Sequence, residues 1–317
     1  MELKGGAIHF QMGYGTHGGL VRCWNASVNG SVEEVSVQAR SLDECTLLVC
    51  RGEGAYTVIP IYEGGKVAGR WKEHLDRMEE SCALLGIPNA CLFTQSDVNE
   101  EPLFRSLLRM CWNLSGMKSS RVRVTFDADL MSLDLPRMLI AMEPWKPFDR
   151  DHSLYSDGVA VETLPPNEVR NVPRAKHNGW ILRRDALMKD TGPDVYESLL
   201  TITCESGETV ILESVGSNFF ALHDERTLIV PEDGMLIGIA RAILLESVRG
   251  EYEVIFRCPT LKETAECREL FLCSASRGLF PIVRMNDQSV GAGRPGPSFK
   301  RLDKLYRKQL EKELTPL

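Results

Sequence analysis

Four groups in this chain could together bind and use an aldehyde cofactor that carries a phosphate. Lys176 follows a Pro/Arg-rich approach and offers an amine for a Schiff base. Glu213, 37 residues later, ends an apolar strand and offers a carboxylate for a ring nitrogen. Arg77 and the glycine-opened helix start at 236–241 offer a cation and free N–H groups for a phosphate. No single group is diagnostic, but together they are what pyridoxal phosphate needs from a protein.

The composition indicates a globular protein large enough for two domains. The 317 residues are 43% apolar and 26% charged, and the net charge of -7 argues against a nucleic-acid or anionic-membrane partner. No run has the apolar length of a membrane span, and the first residues lack the layout of a secretory signal. We therefore expect a cytoplasmic protein. The basic stretch 300–312 is predicted to form an amphipathic helix.

Cysteines and histidines give no sign of a disulfide framework or a metal site. The ten cysteines are scattered without a Cys-x-x-Cys pair, which predicts reduced and mostly buried thiols. The six histidines are dispersed and form no ligand cluster, so no metal is expected.

A dinucleotide-binding motif is present but lacks its setting. Residues 13–18, Gly-Tyr-Gly-Thr-His-Gly, match G-x-G-x-x-G and follow the strand-like stretch 7–12. The pattern is meaningful only when it opens a helix. Asn25, Asn29 and Gly30 occupy the segment where that helix is required, so the motif is dismissed.

The patterning alternates strands and helices without repeats. The first half is predicted to contain a hairpin of strands 46–50 and 55–62, a helix from Trp71 to Leu85, a helix opened by Pro102, and strands at 121–126 and 137–142. The second half is predicted to contain strands at 209–212, 218–222, 227–230, 252–257, 270–273 and 281–284, and helices at 237–248 and 297–314. Segment 143–150, with two prolines and several charges, is the predicted interdomain linker. The domains would be a smaller 1–146 and a larger 147–317.

In this order the motifs resemble the fold-type IV, or class-IV, aminotransferases, which include branched-chain and D-amino-acid aminotransferases and aminodeoxychorismate lyase. The resemblance runs from about Ala55 almost to the C-terminus, and its anchors are residues 54–57, 73–77, Lys176, 212–213 with 217–220, 236–241 and 271–281. It implies a mixed α/β, two-domain D-amino-acid-aminotransferase-like fold with pyridoxal 5′-phosphate in the interdomain cleft. Class-IV members usually build the site at a homodimer interface, so a homodimer is expected.

The resemblance also implies residue roles. Lys176 would hold the cofactor as an internal aldimine and move the α-proton, and Glu213 would face the ring nitrogen. The phosphate would be bound by Arg77, Ile239, Ala240, Ala275 and Ser276. Ala240 and Ala275 depart from the family pattern because a hydroxyl residue is common at both places, and Ser274 or Ser276 would have to substitute.

The substrate contacts are assigned in the same way. Tyr56 would orient the substrate and Arg123 would bind its carboxylate. Arg123 lies between Val122 and Val124, so it belongs to the polar face of its strand, which could equally face solvent. Trp180 and Arg277 are expected to add a wall and a second cation.

The reactivity of the Lys176 amine depends on its being partly deprotonated. The neighbouring cations Arg174 and Arg183 are expected, with partial burial, to favour that state.

The activity implied is amino-group transfer between an amino acid and a 2-oxo acid. Two alternatives stay open: a lyase of the aminodeoxychorismate-lyase type, and a catalytically inactive relative acting as a binding protein. Ala240 and Ala275 favour the second alternative.

Overall fold

The computed structural model describes residues 20–95, 101–147, 149 and 151–317. The glycine motif at 13–18 and the strand-like stretch before it lie outside these residues. The chain that follows forms strand β1, Arg22–Ser27, where a dinucleotide fingerprint requires a helix.

An antiparallel five-stranded sheet forms the first half of the fold. The elements before residue 145 are β1, β2 (Val32–Val35), α1 (Leu42–Val49), β3 (Gly54–Ile61), β4 (Lys66–Ala68), α2 (Trp71–Leu85), α3 (Cys91–Thr94), α4 (Leu103–Ser115), β5 (Ser120–Asp127), α5 (Ala128–Met131) and β6 (Arg137–Pro144). The strand order is β2-β1-β6-β5-β3, and β3 pairs with β5 along its whole length. Apolar side chains of the sheet pack with α2 and α4 into one core.

The predicted hairpin is wrong, because residues 46–49 belong to helix α1 and β3 pairs with β5 instead. The run from Thr46 to Cys50 is short and apolar, so its strand-like composition could not separate a strand from a buried helix. The helix start is set by Ser41, whose hydroxyl accepts from the Glu44 N–H at 3.1 Å. Ser41 and Glu44 have the spacing of a capping box.

A larger mixed sheet forms the second half. Its elements are α6 (Ser153–Ser156), β7 (Val159–Thr163), α7 (Gly179–Leu187), a 3-10 turn (Met188–Asp190), β8 (Val195–Thr203), β9 (Thr209–Ser214), β10 (Asn218–Leu222), β11 (Thr227–Val230), α8 (Ile239–Ser247), β12 (Glu253–Phe256), α9 (Leu261–Glu266), β13 (Glu269–Ser274), β14 (Gly278–Met285), β15 (Gln288–Ser289), α10 (Pro297–Glu313) and β16 (Leu314–Pro316). The strand order is β12-β11-β10-β13-β14-β7-β8-β9, and β9 also pairs with β10, so six strands close on themselves.

Most of the remaining predicted elements are confirmed. Helix α2 has the predicted bounds and ends at Gly86, whose φ of 68° is left-handed. Helix α4 starts after Pro102, and α10 buries one face through Phe299, Leu302 and Tyr306. The patterning missed β1, β2, β7, β8 and α7.

The structure also bears on the predictions about the cysteines and about membrane-spanning segments. All ten cysteines are free, and six of them are buried, which confirms the reduced-thiol prediction. Among the described helices, none has the length and apolar character to cross a membrane.

The two sheets divide where the linker was predicted, although Glu143 and Pro144 are the last residues of β6. The chain then returns, because β16 pairs with β4 and Leu317 enters the core of the first sheet. The domain bounds 1–146 and 147–317 stay a proposal.

Candidate active site

All nine residues predicted to form the site line one cleft between the two sheets. They are Tyr56, Arg77, Arg123, Lys176, Glu213, Ile239, Ala240, Ala275 and Ser276. The cleft encloses about 940 Å³, including the open space at its mouth. The roles assigned to the nine residues stay predictions.

The segment that carries Lys176 is fixed onto strand β3. The Tyr56 N–H donates to the Lys176 carbonyl at 2.8 Å, and the Lys176 N–H donates to Ser81 Oγ at 3.1 Å. Asn178 adds side-chain bonds to Gly54 N, at 2.9 Å, and to the Gly52 carbonyl, at 3.0 Å. Hydrogen bonds therefore hold the backbone of Lys176 on both sides, and only its side chain is free to move.

The Lys176 amine lies in the cleft with Nζ 4.9 Å from the centre of the Tyr56 ring. Removal of water lowers its pKa well below the usual value, and the guanidiniums of Arg77, Arg170 and Arg123 lower it further. A lowered pKa supplies the neutral amine that nucleophilic attack on a carbonyl needs.

The prediction that the nearby cations Arg174 and Arg183 favour a deprotonated Lys176 amine is wrong. Arg174 forms an ion pair with Glu80 at 2.9 Å, and Arg183 pairs with Glu168. Both arginines are exposed, so solvent screens them. The effective cations are buried ones contributed by more distant parts of the chain.

Glu213 is a buried carboxylate whose partner is Arg170. Its Oε1 lies 2.7 Å from Arg170 Nε, and both side chains are almost fully buried. Burial raises the Glu213 pKa, and the Arg170 guanidinium opposes that rise. The guanidinium also lies 4.2 Å from the centre of the Trp180 ring, and Trp180 Nε1 donates to the Val215 carbonyl at 2.8 Å. Glu213 is thus fixed at the end of β9.

Arg77 is a buried cation without a counter-anion in the described part of the chain. Burial lowers its pKa to about 10, and its Nε has no hydrogen-bond acceptor among these residues. The same end of the cleft holds the start of α8, which has no side-chain cap. A Cβ at position 238 would lie 2.1 Å from Asn218 Oδ1, so a larger residue than Gly238 would require the Asn218 side chain to move. A dianion such as a phosphate fits this pocket in charge and in hydrogen bonding.

As the sequence indicated, two positions of this pocket carry alanine in place of a hydroxyl residue. Ala240 and Ala275 both line the cleft and offer only backbone groups. Ser274 and Ser276 lie at the turn between β13 and β14 and also line it. Ser274 Oγ accepts from Arg277 Nε at 2.9 Å, so its hydroxyl proton remains to be donated.

Arg123, which lies beside Tyr56, has more partners than the sequence suggested. The Arg123 guanidinium lies 4.3 Å from the centre of the Tyr56 ring and forms an ion pair with Asp43 of α1. It also donates to Thr46 Oγ1 at 2.8 Å. Burial acts to raise the Asp43 pKa, but Arg123 and Arg184 outweigh it and lower that pKa. Arg123 therefore faces the cleft, not bulk solvent, and its Nε has no acceptor in the described chain.

The second expected cation, Arg277, also lines the cleft and is paired. Its guanidinium lies 2.5 Å from Glu197 Oε1, and both side chains are almost fully buried. It donates to Ser217 Oγ at 2.9 Å. Arg277 therefore connects the turn after β13 to Glu197 of β8 and to Ser217, just before β10.

The cleft is basic although the whole chain is acidic. Among the described residues, seven arginine and lysine side chains and two carboxylates line it, against a net charge of -7 for the protein. This contrast favours anionic ligands.

A sequence model of the family "amino-transferase class IV" matches residues 54–285 of this chain. The chain belongs to the class IV amino-transferases. The matched span begins at β3 and ends with β14, so it contains the whole set of predicted site residues.

Individual class IV relatives are distant. A branched-chain-amino-acid aminotransferase-like protein of Arabidopsis thaliana is 24% identical over 84% of this chain, which spans 47% of that protein's length. A branched-chain-amino-acid aminotransferase of Pseudomonas aeruginosa is 24% identical over 80% of this chain and 83% of its own. The fold matches that of the Escherichia coli branched-chain amino acid aminotransferase with a TM-score of 0.69 at 20% identity, over 93% of this chain and 96% of that one.

Among the residues that the sequence analysis of this class IV member did not single out are Arg170, Asp43, Arg121 and Arg184, which line the cleft, and Thr57, which bonds Arg77. Arg170 lies in a loop and Asp43 on a helix that was predicted as a strand, so neither had a pattern to mark it. Thr57, on β3, bonds Arg77 and was hidden among the apolar residues of its strand. The capping box at Ser41 was the one local signal that could have placed Asp43 on a helix.

Proposed function

We propose that this chain is a pyridoxal-phosphate-dependent aminotransferase that moves an amino group between an amino acid and a 2-oxo acid. The observation that supports it most is the position of Lys176, a lysine with a strongly lowered pKa. Its side chain shares a cleft with the carboxylate of Glu213 and with Arg77, a cation that has no counter-anion among the described residues.

The residues present fit the cofactor group by group. Arg77 and the N-terminus of α8 would hold the phosphate, and Glu213 would hold the protonated ring nitrogen. The bound cofactor supplies an electron sink for the bonds at the substrate α-carbon. Lys176, whose lowered pKa favours the neutral amine, would be the residue that holds the cofactor through Nζ and moves the substrate α-proton.

Glu213 can perform its role only if it stays ionised. Burial favours the protonated acid, and the 2.7 Å contact with Arg170 favours the carboxylate. Arg170 is therefore the residue that keeps a negative charge opposite the ring nitrogen.

Substrate recognition falls to the wall formed by Tyr56, Arg123 and Trp180. Tyr56 and Trp180 offer flat surfaces that orient a ligand and keep water from it. Arg123 can bind a substrate carboxylate through Nε, or through the nitrogen Nη2 that it shares with Asp43, because Nη1 already donates to Leu42 and Thr46. A small amino acid and its 2-oxo acid are the substrates proposed.

The function is tested by assaying amino-group transfer from a panel of amino acids, branched-chain ones included, to 2-oxoglutarate. Lys176→Ala should lower kcat by about 100- to 10,000-fold, the usual range for losing a proton-transfer group. Lys304→Ala, an exposed lysine on α10, is the matched control and should keep full activity. A wild type that forms no new amino acid from any pair refutes the transaminase assignment. Keto-acid release without an amino acceptor identifies the lyase instead.

A second candidate is a relative of the family that binds ligands without catalysis. It is favoured by Ala240 and Ala275, which leave the phosphate pocket without two side-chain hydroxyls. A purified protein that stays colourless when pyridoxal phosphate is added would support this candidate over the enzyme.

A further inference from the structure

Three buried side chains form a hydrogen-bonded chain behind the phosphate end of the cleft. Arg77 Nη2 lies 2.7 Å from Thr57 Oγ1, and Thr57 Oγ1 lies 2.8 Å from His74 Nδ1. Thr57 is fully buried, and His74 is 3% and Arg77 9% exposed. We call these three residues the relay.

The direction of each hydrogen bond in the relay follows from the groups present. A guanidinium can only donate, so Thr57 Oγ1 accepts from Arg77. The hydroxyl has one proton, and His74 Nδ1 is its one acceptor within the described chain. His74 must therefore be neutral and carry its proton on Nε2. Burial, followed by the charge of Arg77, lowers the His74 pKa to about 3, which agrees with a neutral ring.

The relay fixes one nitrogen of the Arg77 guanidinium, and the Arg77 side chain lines the cleft. Nη2 is held by Thr57, and Nη1 reaches the Ile237 carbonyl at 3.4 Å, just before α8 begins. Nε has no acceptor in the described part of the chain. His74 and Arg77 lie one turn apart on α2, and Thr57 lies on the neighbouring strand β3. One helix and one strand therefore supply the whole relay.

We propose that Thr57 and His74 are positioning residues that orient Arg77 toward the phosphate monoester of the ligand. This inference rests on the proposed function, since the phosphate is that of pyridoxal phosphate. The relay matters more in this chain because Ala240 and Ala275 supply no hydroxyl, so the orientation of one cation carries a larger share of phosphate recognition.

The test compares two ligands that differ only in the phosphate. Thr57→Val should weaken the binding of pyridoxal phosphate by about 10-fold, the effect of one hydrogen bond to a charged group. Its affinity for pyridoxal, which lacks the phosphate, should be unchanged. Affinities are measured by titrating tryptophan fluorescence, and circular dichroism confirms that each variant is folded.

Two matched variants separate orientation from packing. Thr57→Ser keeps the hydroxyl and loses a methyl group, so it should bind both ligands like the wild type. His74→Asn offers a carboxamide oxygen near the position of Nδ1 and should retain the preference for pyridoxal phosphate, whereas His74→Leu should lose about as much of it as Thr57→Val.

A direct readout of the anion avoids the aldehyde altogether. Inorganic phosphate should raise the melting temperature of the wild type and of Thr57→Ser more than that of Thr57→Val. Equal losses of both pyridoxal ligands in Thr57→Val, or no loss of either, would overturn the relay while leaving the proposed function in place. A wild type that binds neither pyridoxal phosphate nor phosphate would refute both.

Discussion

At the scale of single residues, the cleft depends on buried charges that are satisfied by partners far away in the sequence. Glu213 and Arg170 are 43 residues apart and meet at 2.7 Å. Lys176 and Glu213 could be recognised as candidates from their sequence settings. Arg170 could not, because a loop residue acquires its partner only when β9 and the loop before Lys176 come together.

Removing one member of the Arg170–Glu213 pair should lower the free energy of unfolding more than removing both. Arg170→Gln leaves a buried carboxylate unpaired, and we expect a loss of about 3 kcal/mol in the free energy of unfolding. Adding Glu213→Gln should recover part of that loss, because no buried charge then lacks a partner. Urea denaturation of the two single variants and the double variant measures the coupling. Losses that simply add would contradict a paired, ionised Glu213.

At the scale of elements, the position of Lys176 is set by how its loop attaches to β3. A strand over 55–62 was predicted from the patterning, and the structure confirms it as β3, Gly54–Ile61. The attachment of the lysine loop to that strand could not be predicted, because it uses one isolated bridge, Ala55 with His177, and the side chain of Asn178. Such contacts leave no periodic pattern in the sequence.

Asn178→Ala should therefore lower both stability and catalysis. It removes two hydrogen bonds to the β3 side of the cleft, so we expect the free energy of unfolding to fall by about 1 to 3 kcal/mol. A misplaced Lys176 should also lower kcat by about 10- to 100-fold, because small displacements of a reacting group are costly. Thermal melting and steady-state assays measure the two effects.

The matched control is Asn171→Ala, an exposed position in the same loop. It should change neither quantity. Equal behaviour of the two variants would show that the bonds of Asn178 do not position the lysine.

At the scale of the whole molecule, strands in both halves could be predicted from the patterning, but their arrangement into two sheets could not. The strand order within each sheet depends on pairings between distant segments, such as β10 with β13. The C-terminal β16 pairs with β4 of the first half, so the two proposed domains share a contact besides the linker. Homodimerisation, implied by the family resemblance, stays a prediction that light scattering tests.

The proposed boundary near residue 147 can be tested by limited proteolysis. Asp149 and Asp151 are exposed just after β6, so endoproteinase Asp-N, which cleaves before aspartate, should cut there early. The two fragments should remain associated in native buffer because β16 and Leu317 dock on the first half. Fragments that separate on gel filtration without denaturant would contradict this docking.

The buried His74 should make the protein sensitive to acid. Its pKa is about 3 in the folded state and about 6.5 when exposed, so the unfolded state binds a proton that the folded state does not. Stability should fall as the pH drops from 6.5 toward 3, and His74 should account for about 2 kcal/mol at pH 5.

His74→Asn removes this proton linkage and His223→Asn, at an exposed position, is the control. The difference in unfolding free energy between pH 7.5 and pH 5 should shrink by about 2 kcal/mol in the first variant only. An unchanged difference in His74→Asn would mean that His74 does not resist protonation in the folded state.

The measurement that tests the central claim most directly is the site of attachment of pyridoxal phosphate. The purified protein is mixed with pyridoxal phosphate, reduced with borohydride, digested and analysed by mass spectrometry, with Lys176→Ala treated in parallel. A visible absorption band that reduction removes, with the label on the peptide containing Lys176 and absent from the variant, is the predicted result. No band in the wild type, or a label spread over other lysines at the same level in both proteins, would contradict it.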